Sequence, residues 1–189
     1  MPPAREPSVA PVDPGDDPRA RLAELYDDHA DFVVRVARQL GAPASELEDI
    51  VHDVFLVVHR RHADYDPARG SQRAWLYGIC RNVVHHSLRG RTRAELRLQR
   101  LPEPAPRPGP DEHVAQPQAQ AVVQRFLDGL DEGRRLVFAL IDIEGMPAPE
   151  VAAMLELNLN TVYSRLRLAR RQFEAHLARL HREIGAPHG

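Results

Sequence analysis

Apolar side chains recur along most of this chain at the three- and four-residue spacing of a buried helix face. Leu22, Leu25, Tyr26, Phe32, Val33, Val36, Ala37 and Leu40 form the first such stripe. Gly41 follows and Pro43 comes soon after, a stop signal for a helix. Leu47, Ile50, Val51, Val54, Phe55 and Val58 mark a second helix, and Ser45 with Glu48 has the spacing of a capping box at its start. Asp66-Pro67 and Gly70 read as a turn. Ser71 then caps a third predicted helix, bearing Trp75, Leu76, Ile79, Cys80, Val83, Val84 and Leu88 and running into an Arg-rich stretch that reaches about Arg100. Past Pro117 the helical spacing returns in Val122, Val123, Phe126, Leu127 and Leu130, and again in Leu136, Val137, Leu140, Ile141 and Ile143, which Gly145 ends. Pro149 to Leu155 is a further short helix with proline in its first turn. Glu156-Leu157-Asn158 is a short turn, and Asn158 caps a last helix that continues to about Leu180.

No segment alternates with period two, so the pattern predicts an all-α protein of two small helical domains. Between them Pro102 to Pro117 holds six prolines in sixteen residues and no apolar period. Such a Pro-rich linker spans on the order of 50 Å at ~3.1 Å per residue. The expected organisation is a disordered tail at 1–18, a first domain at 19–100, the linker at 101–118, a second domain with a helix-turn-helix at 119–182, and a short tail at 183–189. The first tail is Pro- and Asp-rich and has no apolar run, which separates it from a signal peptide.

Charge sharpens this division. The net charge of −2 excludes a uniformly basic surface. Yet residues 1–58 carry 5 Arg against 12 Asp/Glu, and residues 59–100 carry 10 Arg against 3. Basic surfaces separated by acidic ones follow. All 25 basic residues are Arg, whose planar fork suits phosphate and guanine. The single cysteine, Cys80, allows no intrachain disulfide and points to a reducing, cytoplasmic setting; its helical position places it in the core. No run approaches the ~18 apolar residues of a membrane span, so no membrane insertion is expected. Ten His are present, including His52, His59 and His62 near one another and the adjacent His85 and His86, but no Cys or carboxylate spacing completes a metal site. There is no phosphate-binding Gly loop and no nucleophile elbow. Neither a cofactor nor an enzymatic activity is expected.

The helix after Asn158 carries the clearest chemistry. Val162, Leu166, Ala169 and Phe173 are spaced to face a core, while Asn160, Thr161, Ser164, Arg165 and Leu168 lie on the other side, flanked by Arg167, Arg170 and Arg171. No acid occurs from Asn158 to Gln172. Amide, hydroxyl and guanidinium groups suit base edges and phosphates in a major groove. A solvated Arg-rich face would share the charge pattern; the preceding turn and the acid-free run favour DNA.

These residues, with two earlier segments, resemble the extracytoplasmic-function group of bacterial sigma factors, the promoter-specificity subunits of RNA polymerase. Glu48 to Phe55 is similar to the family's polymerase-binding segment, Arg73 to Asn82 to its promoter-melting segment, and Thr161 to Leu166 with Ala169 to Arg171 to its recognition helix. The resemblance spans about Arg21 to Leu180. It implies that Asp49, His52, Asp53 and Phe55 dock on core RNA polymerase. It implies that Tyr65, Arg69, Arg73, Arg81, Asn82 and Arg89 hold the opened minus-ten element, with Arg61 and Arg91 extending the basic track and the loop Asp64 to Ser71 walling a base pocket. Trp75 and Tyr77 are stacking candidates of the same region, although aromatics at helical spacing usually pack inward and Tyr65 is the better exposed one. Asn160, Thr161, Tyr163, Ser164, Arg165, Arg167, Arg170 and Arg171 would read the minus-thirty-five element as duplex. The partners implied are core polymerase, promoter DNA as duplex and single strand, and an anti-sigma factor clamping both domains; the free protein is expected to be extended or mobile. Departures from the family pattern are His52 for Gln, Glu156 for the turn Gly, from which no positive φ is expected there, and Tyr163 and Leu168 for residues commonly basic. A stand-alone helix-turn-helix regulator, or a module that titrates a regulator, are the other functions this pattern allows.

Overall fold

The computed structural model describes residues 18–98 and 118–185, with side-chain surroundings for 20–91 and 120–182. Within them every regular element is helical, as the periodicity requires. The tail expected at 1–18, the linker at 101–118 and the tail at 183–189 lie outside the described residues except at their edges, where Pro18, Gln118 and residues 183–185 are helical.

Helices α1 (Pro18–Gln39), α2 (Leu47–Arg61) and α3 (Gln72–Leu98) form the first group. Phe32, Val33 and Val36 of α1 meet Val54 and Val58 of α2 and Leu76, Cys80 and Val84 of α3, all buried. Each such side chain contributes roughly 1.5–3 kcal/mol on leaving water. Gly41 ends α1 with φ +91°, and the Ala42 amide returns to the Ala37 carbonyl at 3.0 Å. That closure needs a left-handed residue, which glycine adopts without strain. Ser71 caps α3 as expected, its Oγ accepting the Ala74 amide at 3.2 Å. The capping box expected at Ser45 and Glu48 does not form. A 3-10 turn, Ala44–Glu46, leads into α2 instead, with no side-chain cap. The Glu46 carboxylate is turned to α3, where it accepts from Ser87 Oγ at 2.8 Å and pairs with Arg91 at 3.3 Å. Because that turn makes Glu46 the residue before α2, Ser45 and Glu48 fall out of the register a capping box needs.

The second group comprises α4 (Gln118–Asp128), α5 (Glu132–Phe138), α6 (Ala148–Met154) and α7 (Leu159–Gly185). The rings of Phe126, Phe138 and Phe173 pack together with centroids 4.9–5.6 Å apart, joining α4, α5 and α7. Asp131 caps α5, accepting the Arg134 amide at 3.0 Å. That hydrogen bond, chief among several contacts with Arg134, holds the Asp131 carboxyl below the usual carboxylate range. Beyond Phe138 the helix widens into a π turn, Ala139–Ile143, closed by the Glu144 amide on the Ala139 carbonyl at 2.9 Å. Gly145, with φ +68°, then ends it.

The two groups are packed on one another, against the extended arrangement expected of the free protein. Arg35 of α1 grips Glu144 with Nε at 2.5 Å and Nη2 at 2.9 Å. Arg73 of α3 donates to the Glu144 carbonyl at 2.6 Å, Arg135 Nε donates to the Gln39 carbonyl at 3.1 Å, and the Ser71 amide donates to Glu150 Oε1 at 3.2 Å. The physical reason is hydrogen bonding by charged side chains to partners 71 to 109 residues away, one of them an ion pair, which periodicity along the chain does not register.

Candidate nucleic-acid interface

Helix α7 carries the first surface. Asn158 opens it: its Oδ1 accepts the Asn160 amide at 2.8 Å and its carbonyl accepts the Thr161 amide at 2.9 Å. Val162, Leu166 and Ala169 are buried, so the opposite face must be exposed. That face presents Asn160, Tyr163, Arg167, Leu168 and Arg171, with Thr161 and Ser164 half-buried beside it. Tyr163 is 50% and Leu168 46% exposed, large values for apolar side chains. Between α6 and α7, Glu156 has φ +55°, contrary to the expectation that this turn avoids positive φ. The Leu157 amide reaches back to the Ala152 carbonyl at 2.9 Å, a helix-ending closure that demands the left-handed conformation of whichever residue stands there.

Two residues of this predicted set are committed elsewhere. Arg170 forms a fork to Asp142 on the π turn, at 2.9 and 2.6 Å, and this hydrogen bonding raises its guanidinium pKa. Arg165 is half-buried and lies over Gly133, where a Cβ would come within 2.8 Å of Nη1. Arg134, which the sequence reading did not single out, ties the start of α5 to α7 by donating to Gln172 Oε1 at 3.0 Å. Both observations concern the first turn of α5, whose nearness to α7 is a tertiary fact.

The second surface is a cleft of about 690 Å³ between α3 and the loop before it. Arg69, Tyr65, Arg81 and Asn82 line it, together with Trp75 and the backbone around Gly70. Tyr65 and Trp75 stand ring to ring at 5.5 Å, and the Tyr65 hydroxyl donates to the Gly70 carbonyl at 3.4 Å. Trp75 packs against the core and also borders the cleft. Tyr77 is 2% exposed and belongs to the core, with burial pushing its hydroxyl up to about 12. The basic track is partly occupied. Arg61 pairs with Asp64, Arg91 with Glu46, and Arg73 lies over the Phe32 ring at 5.5 Å while bonding to Glu144. Arg89 is exposed outside the cleft lining.

The third surface is α2. Asp49, His52 and Asp53 are exposed along one side of it. Phe55, expected to be their apolar anchor, is instead buried, its ring tilted against Tyr26 with centroids 4.7 Å apart. The exposed apolar groups here are Leu56, at 38%, and Tyr26, at 46%. The helical phase decides this: Phe55 follows Val51 by four residues onto the core stripe, while Leu56 follows His52 onto the outer one. Among the described residues no His, Cys, Asp or Glu group could hold a metal, and no helix is long and apolar enough to cross a membrane.

Residues 25–94 match the family model of sigma-70 region 2, and residues 120–173 that of sigma-70 region 4. The chain is 34% identical over 161 residues to the ECF RNA polymerase sigma factor SigE of Mycolicibacterium smegmatis, covering 82% of this chain and 61% of that one. It is 32% identical to the sigma factor CnrH of Cupriavidus metallidurans, covering 82% and 85% of the two chains. The solved structure of CnrH in complex with the cytosolic domain of CnrY is similar at a TM-score of 0.58 and 31% identity, over 87% of this chain and 91% of that one. The fold also matches RpoE of Bartonella quintana, solved with the anti-sigma factor NepR, at a TM-score of 0.63 and 20% identity, over 85% and 96% of the chains.

Proposed function

Because this chain belongs to the extracytoplasmic-function group of sigma-70 factors, we propose that it binds core RNA polymerase and directs promoter-specific initiation of transcription. The observation that carries this reading is the presence of three surfaces on one chain. An acidic strip on α2 suits a basic polymerase surface, with Leu56 and Tyr26 as its apolar component. A cleft with Arg69, Arg81, Asn82 and the Tyr65–Trp75 pair suits an unstacked strand of the minus-ten element. The acid-free face of α7 suits the major groove at the minus-thirty-five element, with Asn160, Arg167 and Arg171 at its centre. Thr161, Ser164 and Arg165 border that face, and the exposed Tyr163 and Leu168 suit contact with thymine methyl groups.

The corresponding domains are residues 19–100 for docking and melting and 119–182 for duplex recognition. The chain supplies binding and strand capture in the cytoplasm, and the covalent chemistry of RNA synthesis stays with the polymerase. CnrH was solved with the cytosolic domain of CnrY, and an anti-sigma partner is proposed for this chain too. A stand-alone regulator would leave the α2 strip and the α3 cleft without a role. Run-off transcription with purified core polymerase tests the proposal: discrete transcripts that require this chain are expected. Absence of a stable complex with core, from low to high salt, would sink it.

A further inference from the structure

Gly133 stands in the first turn of α5, and its φ is not positive, so no left-handed turn calls for glycine there. Within a helix glycine is less stable than alanine, so another reason for it is needed. Its missing side chain supplies one. A Cβ built on Gly133 would lie 2.8 Å from Nη1, 3.1 Å from Cζ and 3.5 Å from Nε of Arg165. All three neighbours belong to one guanidinium, which fills the space a Cβ would take.

Arg165 rests in this notch with its donors unused. Among the described residues it makes no hydrogen bond and no ion pair. The guanidiniums around it are engaged: Arg134 by Asp131 and Gln172, Arg170 by Asp142, and Arg135 by the Gln39 carbonyl. A half-buried charge gives up part of its hydration, and nothing in the chain returns it. An anion from outside would. Position says which anion. Arg165 follows Thr161 by four residues and precedes Leu168 by three, so the three share a stripe of α7. Thr161 and Leu168 belong to the surface proposed to read duplex DNA, and Arg165 lies where that surface meets α5. A helix in the major groove meets base edges along its centre and phosphates along its borders.

We propose that Gly133 is a positioning residue for duplex binding: lacking a Cβ, it seats the Arg165 guanidinium at the seam of α5 and α7, where it takes a backbone phosphate. This rests on the duplex-recognition reading of α7. Only the end of a flexible side chain stands in the way of a Cβ, so Gly133→Ala should fold with Arg165 displaced. Its Tm should hold or rise by a few degrees, because alanine favours the helix. A glycine that served packing alone would show no loss of binding beside that gain.

The test compares full-length wild type, Gly133→Ala, Arg165→Ala and the double variant. Fluorescence anisotropy is read from low to high salt on a duplex of roughly 20 base pairs, two helical turns, selected by wild type from a random pool, and on a scrambled duplex. Thermal unfolding by circular dichroism runs alongside. Gly133→Ala is expected to bind both duplexes about fivefold more weakly and to reduce the slope of log K against log salt by about 1. Arg165→Ala should show the same loss, and the double variant no more than either alone. Binding by Gly133→Ala equal to wild type would overturn the positioning role. So would a full further loss when Gly133→Ala is added to Arg165→Ala. A loss confined to the selected duplex would overturn the phosphate contact and make Arg165 a base reader. If Gly133→Ala does not fold, rescue by Arg165→Ala establishes the notch, and failure of the rescue overturns it. Wild type that binds no duplex even at low salt would overturn recognition by α7 together with the notch, whereas an unaffected Gly133→Ala overturns the notch alone.

Discussion

Cys80 shows how much one side chain's position decides. Its thiol is fully buried and lies 3.9 Å from the Val33 carbonyl, and burial pushes its pKa up to about 12. The thiolate is the reactive form, so the folded protein should react with a maleimide on the order of a hundredfold more slowly at pH 8 than the urea-unfolded chain. Mass spectrometry of timed samples checks this, and equal rates would contradict the burial. The sign for stability follows from the raised value. The unfolded thiol and the unfolded Tyr77 hydroxyl lose their protons first, so stability is fully present below their ordinary ranges and falls as pH rises toward about 12. Phe55 and Arg170 teach the complementary lesson. Residue type suggested an anchor and a phosphate contact, but helical phase turned one inward and Asp142 captured the other.

Among the elements, the turn between α6 and α7 is the most constrained. Glu156 adopts φ +55°, which costs a side chain with a Cβ roughly 1–2 kcal/mol, partly offset by the entropy that glycine would lose. Glu156→Gly should therefore raise stability by up to about 1 kcal/mol, a few degrees in Tm, without altering the recognition face. Thermal unfolding followed by circular dichroism measures it; a lower Tm would mean that the Glu156 side chain contributes more than its backbone strain costs. This turn was misread from the sequence because a non-glycine residue was taken as a sign of ordinary backbone, whereas the closure onto Ala152 sets the conformation. Helix α7 was legible because its signals are local. A cap at Asn158, a core stripe ending in Phe173 and an acid-free run all lie within about five turns.

For the whole molecule, attraction to DNA comes from patches, since the net charge is −2. Arg167 and Arg171 are exposed on the α7 face. Replacing both with Ala should weaken duplex binding similarly across sequences and reduce the slope of log K against log salt by about 2. Fluorescence anisotropy at several salt concentrations on matched and mismatched duplexes checks this. An unchanged slope would move the phosphate contacts to another surface, and a loss confined to the matched duplex would make these residues base readers.

The amino-acid sequence by itself determined the helices, their apolar faces, the division into two groups and the three segments by which the family was recognised. Each of these is a short-range property, written in spacing and in residue type within a few turns. Tertiary structure alone decided which charges find partners. Glu46 found Ser87 and Arg91 on α3, and Arg35 found Glu144 across 109 residues. Pairing of that kind depends on distances in space between groups far apart in the chain, and no periodicity encodes it.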